Sequence, residues 1–84
     1  MNFRVSNHAR EEMERRGIPQ VLLDAVLNTP QQVVSEREGK KAYQSQVDFG
    51  QGKVFLLRAI VADGVDPAVV ITVYRTSRIE KYWR

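Results

Sequence analysis

The sequence predicts an α+β domain in which two N-terminal helices precede an antiparallel sheet of about four strands. Three observations carry that prediction. Helical spacing of apolar residues is confined to the stretch before Pro30, extended apolar runs follow it, and the last three of those runs are joined by short loops, as in a meander.

Ser6 and Asn7 are preferred N-caps, and His8 to Arg16 is free of Gly and Pro, sets Ala9 and Met13 four apart, and stops at Gly17. Pro19 suits the first turn of a second helix, whose Val21, Leu22, Leu23, Ala25, Val26 and Leu27 cover more than one face and predict a mostly buried element. Asn28-Thr29-Pro30 ends it, because the residue before proline is pushed out of the α region. Gln31 to Glu36 is a weak first strand, followed by an Arg37-Glu38-Gly39-Lys40 turn. In Ala42 to Phe49, alternation puts Tyr43, Val47 and Phe49 on one face. Gly50-Gln51-Gly52 leads into Val54 to Val61, and the loop Asp63 to Pro67 leads into Val69 to Arg75. At the end, Ser77 and Glu80 match a capping box that would place Ile79 and Trp83 one turn apart, while an extended edge suits the Tyr82-Trp83 pair equally well.

With 84 residues, 43% of them hydrophobic and 27% charged, the chain is expected to fold as one domain, 1–84, around one core. The absence of cysteine excludes disulfides and thiolate metal sites and fits a reducing compartment, so the expected location is the cytoplasm. No signal-like apolar run opens the sequence, and no segment reaches the ~18 to 20 apolar residues of a membrane span. The net charge of +3 is localised: positions 1–68 hold nine cations and nine anions, whereas the last 16 hold Arg75, Arg78, Lys81 and Arg84 against Glu80 alone. Clustered cations reinforce one another within a Debye length and favour an anionic polymer or an acidic protein as partner. Helix-dipole compensation and solubility are the competing explanations.

Gly-rich phosphate loops, Cys/His metal patterns, nucleophile elbows and metal-binding carboxylate clusters are all missing, so no metal or cofactor is expected. The single histidine, His8, lies in the first turn of the first helix with Glu12 four residues on and Arg15 seven, opposite Ala9 and Met13. An imidazole there can transfer a proton near neutral pH, or it can be a surface group paired with Glu12. Arg58 interrupts the apolar run Val54 to Val61, where a charge is least expected. From a central strand its guanidinium can grip a phosphate, or it can face water on the side of the sheet away from the helices. The terminal stretch Tyr74 to Arg84 interleaves cations, hydroxyls and aromatics, a mixture suited to phosphates and unpaired bases, although its apolar members can equally close the core.

The opening Ser6-Asn7-His8-Ala9-Arg10 with Met13 and Arg16-Gly17-Ile18, together with the closing Ile71 to Tyr82, resembles a small bacterial and phage family catalogued as a domain of unknown function. That family is distantly similar to RelE-like toxins and to barnase-like and colicin-type nucleases, whose helices pack on a curved antiparallel sheet. The resemblance implies a metal-independent endoribonuclease, one half of a toxin-antitoxin pair. In it a ribose 2′-oxygen attacks the neighbouring phosphate, with RNA as substrate and an antitoxin as partner. On that footing His8 is expected to transfer a proton, Arg58 and Arg78 to bind phosphate, and Tyr74 or Tyr82 to donate a proton or stack a base. Arg16, Arg75, Thr76, Ser77 and Lys81 complete the RNA-binding set. Arg78 stands where lysine is commoner in that family, which keeps the charge and changes its geometry. Two readings stay open beside this one. They are a non-catalytic RNA- or protein-binding module on the same scaffold, and a homodimer formed through Val54, Leu56 and Ile60 on the Arg58 side of the strand.

Overall fold

The computed structural model describes residues 2–84 and has five strands and three α-helices. In chain order they are β1 (Phe3–Val5), α1 (Asn7–Arg16), α2 (Gln20–Asn28), β2 (Gln32–Ser35), β3 (Lys41–Asp48), β4 (Val54–Ala62), β5 (Ala68–Thr76) and α3 (Ile79–Tyr82). The sheet order is β1-β5-β4-β3-β2. Strands β2 to β5 form the expected antiparallel meander, and β1 adds a fifth strand parallel to β5, so the sheet is mixed. Three residues are too few to show a period in sequence, and the partner that orders Phe3–Val5 lies some 65 positions away at Ala68–Val70.

The first helix begins and ends where its caps dictate. The Ser6 hydroxyl accepts from the Ala9 N–H, and Gly17 closes the helix at φ 65°, a left-handed conformation that glycine adopts without a Cβ clash. Ser6 also ties the helix to the sheet. Its N–H donates to the Val70 carbonyl and its hydroxyl to the Ile71 carbonyl, beside the bulge where Ile60 pairs with Thr72 but Val61 pairs with Val70.

Helices α1 and α2 cover one face of the sheet. Ala9, Met13, Leu23, Val26 and Leu27 pack there against Tyr43, Leu57, Ala59, Val61, Val70 and Val73. Helix α2 is less buried than its composition suggests: Val21 is 69% exposed and Ala25 lies outside, because nine residues against a sheet bury only one stripe. The C-terminal segment does form a short helix, on the other face. Its N-cap position is Arg78 without a side-chain cap bond, so Ser77 forms no capping box; instead Thr76 Oγ1 accepts from the Arg78 N–H.

Candidate functional site

Strand alternation sends Leu57, Ala59 and Val61 toward the helices and Leu56, Arg58 and Ile60 to the opposite face. Register then decides what meets Arg58. Gln32 pairs with Gln44, Gln44 with Arg58, and Arg58 with Tyr74, so one cross-strand row runs through β2, β3, β4 and β5. Direct partners in an antiparallel sheet are close enough for side chains to bond, and here the row is a continuous chain. Gln44 Nε2 donates to Gln32 Oε1 at 2.8 Å, Arg58 Nε to Gln44 Oε1 at 2.8 Å, and Arg58 Nη1 to the Tyr74 hydroxyl at 2.6 Å.

Two further groups close around the guanidinium. Glu36, just beyond β2, receives Arg58 Nη2 on Oε2 at 2.8 Å. The Tyr82 ring lies over Arg58 with its centroid 4.1 Å from Cζ, and meets the Tyr74 ring edge-on at 6.4 Å. Arg58 is only 2% exposed and Gln44 not at all. A buried cation is tolerable only when paired and hydrogen-bonded, and this one is held by a carboxylate, an amide oxygen, a phenol and a ring face. Burial pushes the Tyr74 phenol above its ordinary value, against the opposing pull of Arg58. The group is therefore a neutral O–H at physiological pH.

The cover is attached by polar contacts. Gln44 Nε2 also donates to the Tyr82 carbonyl at 3.1 Å, and the Gln32 amide bonds both the carbonyl and the N–H of Arg84, at 2.7 and 3.2 Å. None of Ile79, Tyr82 and Trp83 belongs to the main core.

The remaining sequence-predicted residues divide between the two faces. Tyr74, Thr76 and Tyr82 share the Arg58 face, and Lys81 places Nζ 5.3 Å from the centre of the Tyr82 ring. Ser77 and Arg78 are exposed on the same terminal segment. Arg75 is opposite Leu57 in register and so lies on the helix side, its guanidinium over Phe49 and Phe55 at 4.5 and 4.9 Å. His8 and Arg16 belong to α1, across the sheet from Arg58. His8 is exposed, and Glu12 is taken by Arg15 at 2.6 Å and Arg16 at 3.1 Å, hydrogen bonds that hold its carboxyl below the usual range. His8 and Arg16 therefore do not meet Arg58, and of the terminal cations Arg75 lies on the helix side. On the face of the apolar trio Val54, Leu56 and Ile60, Leu56 is fully buried and Val54 is exposed.

Sequence reasoning missed Glu36, Gln44 and Gln32. The signal for the two glutamines was present, since in β2 and β3 they alternate with Val33 and Tyr43, but only the register joins them to Arg58. Among the described residues, no three His, Cys, Asp or Glu side chains gather as a metal site would require, and no helix is long and apolar enough to cross a membrane.

Residues 5–75 match the family described as Domain of unknown function (DUF4258), and the chain belongs to that family. No curated protein and no solved structure matches the chain. The family match ends at Arg75, so the segment that covers Arg58 follows it.

Proposed function

We propose that this chain is a toxin-like, metal-independent endoribonuclease that cleaves RNA in the cytoplasm by attack of a ribose 2′-oxygen on the adjacent phosphorus, with the Arg58 face as its phosphate site. The observation that carries this reading is the buried guanidinium of Arg58, held in one orientation by Gln44, Tyr74 and Glu36 at 2.6 to 2.8 Å. Fixed donors of this kind stabilise charge that develops in a transition state without reorganising, which is the main demand of phosphodiester cleavage. A RelE-like arrangement, with helices behind the sheet and chemistry in front, is consistent with it.

Substrate reaches Arg58 when the terminal segment swings away. Its anchors are amide hydrogen bonds and a ring-cation contact, all of which RNA and water can replace. Tyr82 then offers a stacking surface to an unpaired base, and Arg78 and Lys81 supply exposed charge for the backbone. An antitoxin that holds the segment down, or occupies the opened face, would silence the enzyme.

The second reading, a non-catalytic RNA- or protein-binding module, is favoured by one specific fact: the chain's single histidine lies across the sheet from Arg58. One experiment separates the two. Purified protein is incubated with single-stranded RNA in excess chelator, and the products are examined for 2′,3′-cyclic phosphate and 5′-hydroxyl ends. Cleavage that disappears in Arg58→Ala supports the enzyme. Intact RNA that binds with an affinity falling steeply with salt, at ~0.7 in slope per phosphate contact, replaces it with the binding module.

A further inference from the structure

Resting on that reading, we infer that Glu36 is the proton acceptor of the reaction and that Arg58 passes from its carboxylate to the phosphate as the proton moves. Any such cleavage needs a base beside the phosphate-binding cation. His8 is on the other face of the sheet, whereas the Glu36 carboxylate is 2.8 Å from Arg58 Nη2. The exposures of the two side chains fit the two roles. Arg58 is 3% exposed and Glu36 29%, so the carboxylate borders solvent, where a ribose hydroxyl can approach, and the guanidinium stands behind it. The carboxylate is also positioned locally: Glu36 directly follows β2, its N–H donates to the Lys40 carbonyl, and the Arg37–Gly39 turn brings the chain back into β3.

The ion pair poses an objection that the mechanism must meet. With Glu36 charged, Arg58 is already neutralised and is a poor site for a phosphate monoanion. Proton transfer removes that obstacle at the right moment. Glu36 takes the proton of the 2′-hydroxyl and loses its charge, the 2′-oxygen bonds to phosphorus, and negative charge builds on the phosphoryl oxygens. Arg58 then faces the new charge in place of the old one. The bond from phosphorus to the 5′-oxygen breaks, and that oxygen takes a proton from the Tyr74 hydroxyl, which sits 2.6 Å from Nη1 of the same guanidinium. The products are a 2′,3′-cyclic phosphate and a 5′-hydroxyl. Exchange with water returns the proton on Glu36 to solvent and reprotonates Tyr74.

The test pairs cleavage with binding. Glu36→Gln keeps an oxygen for Arg58 but cannot take the proton. Cleavage of single-stranded RNA is expected to fall about 10²- to 10⁴-fold, the usual contribution of a general base. Affinity for the same oligonucleotide with 2′-deoxyribose throughout should stay level or tighten, because Arg58 loses its competing anion. Glu36→Asp, one methylene shorter, should retain more activity than the Gln variant. Cleavage by Glu36→Gln at close to the wild-type rate overturns the assignment, as does an Asp variant no better than Gln. Should the Gln variant melt below the assay temperature, His8→Ala decides, since that exposed position tolerates change: full activity supports Glu36, and loss of activity overturns it. If wild-type protein cleaves nothing, it is the endoribonuclease reading itself that has failed.

Discussion

The two faces of this sheet are built from alternate residues of the same strands, and they are held together by different physics. Behind the sheet, Leu57, Ala59, Val61, Val70 and Val73 meet two helices in an apolar core. In front, Gln32, Gln44, Arg58 and Tyr74 form a row of hydrogen bonds under a short terminal segment. The apolar face gains stability from area removed from water and has no directional demand. The polar face must satisfy every group it buries, so its geometry is fixed and its net contribution to stability is small. On the function proposed above, the rear face is the scaffold and the front face the working surface.

Breaking the front row at its centre should have the largest effect. Arg58→Ala leaves Glu36, Gln44 and Tyr74 without their common donor and is expected to cost about 3–5 kcal/mol, read from urea unfolding. Leu57→Ala, the next residue on the other face, opens a cavity in the core and should cost about 2–5 kcal/mol. The comparison lies in function: where both variants remain folded, RNA cleavage should vanish in the first and persist in the second. Ser6→Ala removes the cap of α1 and its tie to the Ile71 carbonyl, at about 1 kcal/mol, again with cleavage retained.

Between Leu57→Ala and Ser6→Ala lies Tyr74→Phe, which loses one charge-assisted hydrogen bond and should cost about 1.5–3 kcal/mol if the gap stays dry, less if water replaces the hydroxyl. Its pH signature is sharper than its size. The folded Tyr74 phenol titrates above its unfolded value, chiefly through burial, so the native state keeps a proton that the unfolded chain releases. Stability from this group is full below about pH 10 and is lost as pH rises from there through the folded value. Unfolding followed from pH 8 to 11 should therefore show a decline that is weaker in the Phe variant, and identical alkaline slopes would remove Tyr74 from the buried row.

The scaffold was more legible in the sequence than the site, for a physical reason. Ser6, Gly17 and the shared face of Tyr43, Val47 and Phe49 act through local spacing, so caps and alternation could be read directly. Strand β1 could not, being three residues ordered by a distant partner, and the burial of α2 was overread because composition does not say how much of a helix its neighbours reach. Arg58 stood out because a charge in an apolar run needs a partner. Which partners it has is a matter of register across four strands and of a turn after β2, so Glu36 and Gln44 stayed hidden while His8, on the far face, drew the assignment.

Which face of the sheet RNA touches decides between scaffold and site. The amide spectrum of the labelled protein is followed by NMR as the 2′-deoxy analogue of a short single-stranded RNA, which has no 2′-hydroxyl to attack, is added. Shifts are predicted at Gln32, Gln44, Arg58, Tyr74 and the 79–84 segment, with Arg58→Ala abolishing them. Shifts centred on α1 and α2, or an unchanged spectrum at saturating oligonucleotide, would contradict the assignment of the polar face as the working surface.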